Sequence, residues 1–172
     1  DHAGKGAALN IGAGEALADI LCFIDQDDVM LPGRLKRQLD GFAMHPGAEA
    51  VYSDYERVRQ DGQLIDRFVS RQASGEDCLR AMAEGRGLVS MQTLMIRRDV
   101  FRRIGGFSCD PLLTGLDDAE FFVRLFAAGT SLVYLPGVVQ QWTLHEGNYS
   151  GSAAFQEARE VLLEHMVTLA DR

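Results

Sequence analysis

Three carboxylates within four positions follow a short apolar run and are the residues best suited to chemistry. The run Leu21–Ile24 is typical of a buried parallel strand, and Asp25, Asp27 and Asp28 come directly after it. Open α/β sheets bind their ligands at the carboxyl ends of such strands. Like charges this close raise one another's pKa unless a cation neutralises them. The cluster therefore predicts a hard divalent cation, Mn²⁺ or Mg²⁺, that carries an anionic group such as a diphosphate.

Asp28 also has a structural interpretation, as the N-cap of the helix that Pro32 is expected to begin. A cap accounts for one carboxylate and leaves the other two unexplained, so the metal interpretation is favoured. An EF-hand is excluded, because neither the glycine nor the distal glutamate of that loop follows at the required offsets. Apolar residues at helical spacing predict the buried stripe of this helix: Leu31, Leu35, Leu39 and Phe42.

Asp117 and Asp118 form a second acidic pair, at the start of a helix predicted over 117–128. The free amides and the macrodipole favour carboxylates at that position, so the pair has a structural explanation. In the functional alternative, one of the two is a general base that takes a proton from an attacking hydroxyl. The sequence leaves open which carboxylate it is. Glu120 and Arg124 lie four residues apart, which is the spacing of an ion pair along a helix surface.

His145 lies in a polar stretch directly after the apolar segment 132–144. An isolated histidine is more often structural, but a neutral imidazole is also a common metal ligand, so His145 is a candidate for that role. Trp142, three residues earlier, has two interpretations. It is either part of the core, which is slightly favoured, or a platform on which a sugar ring stacks.

The bulk composition restricts the class of partner and the compartment. The 172 residues carry a net charge of −8, which argues against a nucleic-acid backbone as partner. Three cysteines without a CxxC pair are typical of a reducing compartment. No apolar stretch approaches the roughly 18–20 residues that a membrane span needs. We therefore expect a cytoplasmic protein, with a peripheral position at the inner membrane face as a further expectation.

The order of predicted elements is that of a mixed α/β protein, in one compact domain over residues 1–172. Gly4-Lys5-Gly6 is not a P-loop, because the upstream glycine and the following Ser or Thr are missing. Its small residues instead predict a helix packed close to a sheet. The predicted helices are 4–18, the one that begins near Pro32, 76–84, 99–104, 117–128 and 152–170. The predicted strands are 20–25, 50–58, 64–68, 92–97 and 131–135, with a hairpin turn at Asp61-Gly62.

Taken together, these motifs resemble the family 2 glycosyltransferases of the GT-A fold. The matching segments are Gly4–Asn10, Asp25–Asp28, Pro32 with Arg34 and Gln38, Val51–Asp54, Ile104–Phe107, Asp117–Glu120 and His145 near Ser150. They run in register from residue 4 to about residue 150. The resemblance implies a Rossmann-like nucleotide-diphospho-sugar transferase fold, a mixed sheet flanked by helices.

The resemblance implies roles for the acidic residues. Asp25, Asp27 and Asp28 match the family's DxD-type motif, which binds the nucleotide ribose and a divalent cation on the diphosphate. Asp25 is accordingly expected to contact the nucleotide, and Asp27 and Asp28 to bind the metal. Asp118 matches the catalytic base, in a site where the family commonly has Glu-Asp and this chain has Asp-Asp.

Two further residues and the chemistry are implied in the same way. His145 matches a position that approaches the metal or the diphosphate, and Arg124 matches an arginine after the base that is expected to contact the nucleotide. The implied reaction is inverting transfer of a sugar, in which an acceptor hydroxyl displaces the nucleoside diphosphate. A nucleotide sugar is the expected donor and a glycan or a lipid-linked molecule the expected acceptor. The family's commonest setting is the synthesis of cell-surface polysaccharides.

The chain departs from the family in one respect. The family's amino-terminal βαβ portion, which holds the nucleobase, is expected before Gly4 and is absent. We therefore expect a partial catalytic domain with an open sheet edge that pairs with a second copy. A truncated fragment that folds or dimerises without activity is one alternative function.

A phosphatase of the haloacid-dehalogenase type is the other alternative. Its nucleophile motif is an apolar strand followed by Asp-x-Asp-x-Thr/Val, which Ile24–Val29 fits, and Asp117-Asp118 resembles its distal acidic motif. No apolar strand leads into Asp117, however. Neither Lys5 nor Lys36 lies where that family has its later phosphate-binding lysine.

Overall fold

A six-stranded mixed sheet with helices packed against it forms the centre of the computed structural model, which describes residues 4–113 and 115–145 together with Leu162 and Met166. The strands are β1 (Ile20–Cys22), β2 (Val29–Met30), β3 (Ala50–Arg59), β4 (Leu64–Phe68), β5 (Met95–Arg97) and β6 (Leu132–Leu144). The helices are α1 (Gly4–Glu15), α2 (Arg34–Met44), α3 (Gly75–Ala83), α4 (Arg98–Ile104) and α5 (Asp117–Ala127). The predicted mixed α/β architecture is confirmed.

The strands follow the order β1-β5-β3-β6-β2, and β4 pairs with residues 55–58 of β3. Among the strand pairs of the described residues, β3–β6 is parallel and the other four are antiparallel. The predicted hairpin is confirmed, since β3 and β4 pair across a turn that contains Gly62 at φ +84°. No helix among the described residues is long and apolar enough to cross a membrane.

The prediction of a buried parallel strand at Leu21–Ile24 is wrong. β1 ends at Cys22, pairs antiparallel with β5, and forms one edge of the described sheet. The chain leaves the sheet at Phe23, whose ring packs against Phe101 and Phe107, and the side chain of Ile24 is exposed. The pairing of an open sheet edge with a second copy stays a prediction.

The buried face of α2 differs from the predicted apolar stripe. Leu35 and Leu39 are 47% and 46% exposed, while Arg34 and Gln38 are almost fully buried. Both polar side chains have buried hydrogen-bond partners outside the helix, since Arg34 donates to the amide of Gln140 and Gln38 donates to the carbonyl of Thr93. Gly41 lets the helix approach Leu135, because an added Cβ would lie 2.3 Å from that side chain. Buried polar partners and close packing therefore override the apolar periodicity.

β6 is longer than the predicted strand 131–135 and reaches Leu144. It passes through an irregularity at Pro136-Gly137, where Gly137 adopts φ +116°. The buried Asp54 stabilises this irregularity, accepting hydrogen bonds from the N–H of Gly137 and the hydroxyl of Tyr134, both at 2.8 Å. The strand can therefore continue beside β3 and carry residues 140–144 towards the acidic loop after β1.

The core is rich in aromatic rings and lies between the sheet and the helices α4 and α5. Phe101, Phe107 and Phe121 form mutual ring contacts with centroids 5.1–5.5 Å apart. Most of the predicted tail helix 152–170 lies outside the described residues. Leu162 belongs to it and packs in a buried cluster with Leu113, Leu116 and Val123.

Candidate functional site

A groove of about 750 Å³ brings together acidic residues that are distant in sequence. Asp25 enters it from the loop after β1, and Asp117 and Asp118 enter it from the first turn of α5. Lys5 of α1 lines the same groove. The structure therefore places three of the predicted site residues around one cavity, with a lysine among them.

Lys5 supplies the nearest positive charge to this acidic group. Its Nζ lies 2.7 Å from Oδ1 of Asp25. Burial acts to lower the pKa of Lys5, but the hydrogen bond and charge of Asp25, together with the charges of Asp118 and Asp117, hold that pKa above its ordinary value. The sequence argument required a cation near the carboxylates and missed this one, because an isolated lysine in a helix of small residues carries no distinguishing pattern.

Asp117 and Asp118 have the properties expected of a general base and its neighbour. Burial raises the pKa of both carboxyls, and the positive charge of Lys5 opposes the rise. Both side chains line the groove. A carboxylate whose pKa is raised towards neutrality accepts a proton more readily, as general base catalysis requires.

Asp27 and His145 are in direct contact, although 118 residues separate them in the chain. Nε2 of His145 lies 2.8 Å from Oδ2 of Asp27. His145 follows the last residue of β6, so the length of that strand decides where the imidazole lies. Two of the three predicted metal ligands are therefore brought together by the parallel pairing of β6 with β3.

Asp28 is bound to β6 through both of its carboxylate oxygens. Oδ1 accepts a hydrogen bond from the backbone N–H of Thr143, and Oδ2 accepts one from Nε2 of Gln140, both at 3.0 Å. Its interpretation as an N-cap is wrong, since α2 is capped by Gly33 without a side-chain hydrogen bond. Burial raises the pKa of Asp28, and the charges of Asp27 and Asp25 add to the rise.

A buried polar network lies behind Asp28. Oε1 of Gln140 accepts a hydrogen bond from Nη1 of Arg34, and Nε of Arg34 donates to Oε1 of Gln38 at 3.0 Å. Nε2 of Gln38 then donates to the carbonyl of Thr93 at 2.6 Å. Burial lowers the pKa of Arg34. The sequence did not indicate this network, because apolar periodicity assigned the buried stripe of α2 to Leu31, Leu35, Leu39 and Phe42.

Arg124 is not among the residues that line the groove. Its guanidinium binds both carboxylate oxygens of the buried Glu120, at 2.6 and 2.5 Å, which matches the helical ion pair that the sequence also suggested. The same group donates to the carbonyls of Ile104 and Gly106, the latter at 2.7 Å. The structure thus uses Arg124 to connect α5 with the turn after α4.

A divalent cation fits this site only if it shares ligands with a bound substrate. Among the described residues, no group of three or more His, Cys, Asp or Glu side chains is arranged to hold a metal. Asp27 and His145 form a two-residue donor set of carboxylate and imidazole. Mg²⁺ is commonly held by one or two carboxylates together with substrate phosphates. The donor set therefore suits a cation that a diphosphate would help to bind.

Comparisons with known proteins connect this arrangement with one family. The family model described as "Glycosyltransferase like family 2" matches residues 1–164. An uncharacterized glycosyltransferase of Haemophilus influenzae is 27% identical over 71% of this chain and 40% of its own length. The probable glycosyltransferase YdaM of Bacillus subtilis is 23% identical over 79% of this chain and 33% of its own length. The chain thus spans well under half of the length of these relatives.

Solved structures show the same fold at low sequence identity. S. aureus TarS 1-349 matches with a TM-score of 0.64 and 15% identity, over 92% of this chain and 44% of that one. The complex of TarS 1-349 with UDP gives a TM-score of 0.63, 13% identity and coverages of 97% and 49%. The mannosyltransferase PcManGT from Pyrobaculum calidifontis, in complex with GDP-Man and Mn²⁺, gives 0.58 at 21% identity, over 98% of this chain and 44% of that one. The predicted GT-A fold is confirmed.

Proposed function

The chain belongs to glycosyltransferase-like family 2, and on that premise we propose that it transfers a sugar from a nucleotide-diphosphate donor to an acceptor hydroxyl with inversion at the anomeric carbon. The observation that carries the proposal is the groove itself. It brings Asp25, in the loop after β1, into one cavity with the acidic start of α5, where burial raises the pKa of both carboxyls. Asp25 and a candidate base thus line one cavity, whereas Asp27, Asp28 and His145 are not among its lining residues.

The donor would bind along the loop after β1. One structurally similar protein has been solved in complex with UDP and another with GDP-Man and Mn²⁺, which supports a nucleoside diphosphate sugar as donor for this chain as well. In this proposal Asp25 contacts the ribose, and Asp27 and His145 hold a cation on the diphosphate. When bound, that cation would neutralise negative charge on the leaving diphosphate. Asp28 keeps the loop in place through its two hydrogen bonds to β6.

The chemical step needs one base and one leaving group. Asp118 accepts the proton of the acceptor hydroxyl as that oxygen forms a bond to the anomeric carbon. The bond between the anomeric carbon and the diphosphate oxygen breaks, and its electron pair leaves with the nucleoside diphosphate. Attack from the face opposite the leaving group inverts the configuration. Asp118 is proposed over Asp117 as the base because it matches the position of the family's catalytic base.

The competing functions differ in what supports them. The phosphatase alternative finds no support in the comparisons, and Asp117 begins a helix after Leu116 instead of following a strand. The nucleotide titration described below distinguishes an active transferase from an inactive fragment that folds without binding nucleotide. A glycan or lipid-linked acceptor and a role in polysaccharide synthesis complete the proposal.

Calorimetric titration with UDP and with GDP, each with and without Mn²⁺, tests the proposal. We expect Mn²⁺-dependent binding of one nucleotide that Asp27→Asn weakens by about tenfold or more, since a metal ligand is lost. Asp40→Asn is the matched control, because Asp40 is an exposed carboxylate paired with Lys36 on the surface of α2. If the chain binds neither UDP nor GDP, the proposal is overturned for this chain, and the alternative of an inactive fragment is favoured.

A further inference from the structure

Three aromatic side chains lie side by side on adjacent strands and line the groove. Tyr55 of β3 faces Phe68 of β4 directly in register, with stacked rings whose centroids are 4.9 Å apart at an interplanar angle of 18°. Trp142 of β6 meets Tyr55 edge to face, at 6.1 Å and 61°. All three line the same groove as Asp117 and Asp118. We refer to these three residues as the aromatic wall.

The rings of the aromatic wall are more exposed to solvent than the rings of the aromatic core. Phe121 and Phe101 of the core are 0% and 4% exposed, whereas every ring of the aromatic wall is only partly buried. Trp142 does not belong to any buried apolar cluster among the described residues. Large aromatic rings left partly open in a cavity are a feature of ligand sites, where one face is free to contact a ligand.

The aromatic wall is continuous with the proposed donor site. Gln140 and Trp142 lie two residues apart on β6, so their side chains point to the same face of the sheet. Gln140 holds Asp28, whose loop carries the proposed cation ligands. A molecule that lies on Trp142 in this groove is therefore next to the donor site on one side of the cavity and shares the cavity with Asp118.

The surroundings of the aromatic wall are polar, which bears on the chemistry of its ligand. Arg57 lies opposite Trp142 in the β3–β6 register and opposite Asp66 in the β3–β4 register. Its Nε donates to Oδ1 of Asp66 at 2.7 Å. An ion pair on the same strands suits a polar ligand, because an alkyl chain bound there would bring apolar surface against charged groups.

The segment 85–92, which also lines the groove, offers hydrogen-bonding side chains. Arg86, Ser90 and Gln92 line the groove, and the hydroxyl of Ser90 contacts the amide of Gln92. A pyranose ring has an apolar face of C–H groups and a rim of hydroxyls. Flat aromatic faces combined with amide, hydroxyl and guanidinium groups match both features of such a ring.

We infer that the aromatic wall is a subsite for a pyranose ring of a carbohydrate acceptor, which stacks on Trp142 and Tyr55. The inference rests on the proposed function, since it identifies the acceptor of that reaction. It commits to a sugar ring, as opposed to the hydrocarbon chain of a lipid, as the occupant of this part of the groove.

The single tryptophan of the chain makes this inference directly testable, because intrinsic indole fluorescence reports on Trp142 alone. The protein is titrated with maltotriose, cellotriose and chitotriose, and separately with dodecyl phosphate as a probe for a lipid chain. We expect a saturable change in emission with at least one of the three sugars and none with dodecyl phosphate. Response to none of the sugars, or saturable response to dodecyl phosphate, would overturn the inference.

Two variants separate stacking from general effects on the fold. Phe68→Ala removes the ring that supports Tyr55 and should weaken sugar binding roughly threefold to tenfold. Leu64→Ala is the matched control, because Leu64 lies on the same strand, is 52% exposed and is not among the groove-lining residues. Equal sugar binding by both variants would contradict the stacking role.

Nucleotide binding, measured by calorimetry on the same proteins, distinguishes failure of this inference from failure of the proposed function. Phe68→Ala should bind UDP or GDP with Mn²⁺ as the unmodified chain does. A chain that binds nucleotide but gives no sugar response at Trp142 keeps its proposed function and loses this subsite. A chain that binds neither nucleotide has lost the proposed function itself and, with it, the premise of the acceptor subsite.

Discussion

A methyl group added at Gly6 tests whether α1 must lie as close to the site as the structure places it. An alanine Cβ at this position would lie 2.5 Å from the carbonyl oxygen of Ser108 and 3.5 Å from Oδ1 of Asp117. A backbone oxygen cannot rotate aside as a side chain can. α1 or the segment after α4 must therefore move to accept the substitution.

The two sides of the contact are already fixed to each other. The amide of Asn10 in α1 binds both the N–H and the carbonyl of Phe107, at 2.8 and 2.9 Å. Alanine improves helix propensity by about 0.5–1 kcal/mol over glycine. Overpacking costs typically about 1–3 kcal/mol. We expect Gly6→Ala to lower the free energy of unfolding by about 1 kcal/mol, the difference between the midpoints of these two ranges.

Thermal unfolding measures this effect, and Gly12→Ala is the control. Gly12 lies in the same helix, and nothing lies within 4 Å of an added Cβ there, so propensity alone should stabilise that variant. For a chain of this size, about 1 kcal/mol shifts Tm by roughly 2–4 °C. The two variants should therefore shift Tm in opposite directions. Equal stabilisation by both would refute the close packing of α1 against the segment after α4.

The same substitution has an expected functional consequence. Lys5 precedes Gly6, and its ion pair with Asp25 depends on the position of α1. Displacement of the helix should weaken nucleotide binding in Gly6→Ala and leave Gly12→Ala unaffected. Calorimetry with the nucleotide that the unmodified chain binds reports this directly.

Three further predictions concern the charged groups of the site. Asp118→Asn should reduce turnover by about 10²- to 10⁴-fold while nucleotide binding persists, and retained turnover would exclude Asp118 as the base. Because burial raises the pKa of Asp118 in the folded state, its ionisation costs stability above the unfolded pKa. Asp118→Asn should therefore raise Tm at neutral pH, and the gain should disappear in acid, where both states are protonated. Lys5→Met removes a charge that lowers the pKa of Asp118, so the acid limb of the pH–rate profile should move to higher pH; an unmoved limb would contradict this coupling. Gln140→Leu leaves buried Arg34 and Asp28 each without one hydrogen bond. The variant should therefore lose about 2–4 kcal/mol of unfolding free energy in chemical denaturation and bind nucleotide with Mn²⁺ more weakly. A stability change below the error of the measurement would argue against the buried network.

Local chemistry in the chain was enough to predict the mixed α/β fold, the order of its elements apart from the short strand β2, and the two acidic motifs. Asp61-Gly62 predicted the hairpin, and the helix predicted over 117–128 is observed as α5. These features depend on residues that are neighbours in sequence. Turn residues and hydrophobic periodicity can therefore be read from the sequence alone.

The tertiary structure alone decided how the site is assembled. The contact of Asp27 with His145 and the anchoring of Asp28 by Gln140 depend on how far β6 continues beside β3 beyond Pro136. The burial of polar side chains on α2 and the place of Lys5 beside Asp25 are of the same kind. The physical reason is that a polar or charged side chain can be buried only where a distant segment supplies its partner. Periodicity reports which residues prefer water, but it does not report which of them will meet a hydrogen-bond partner or an opposite charge once the chain has folded.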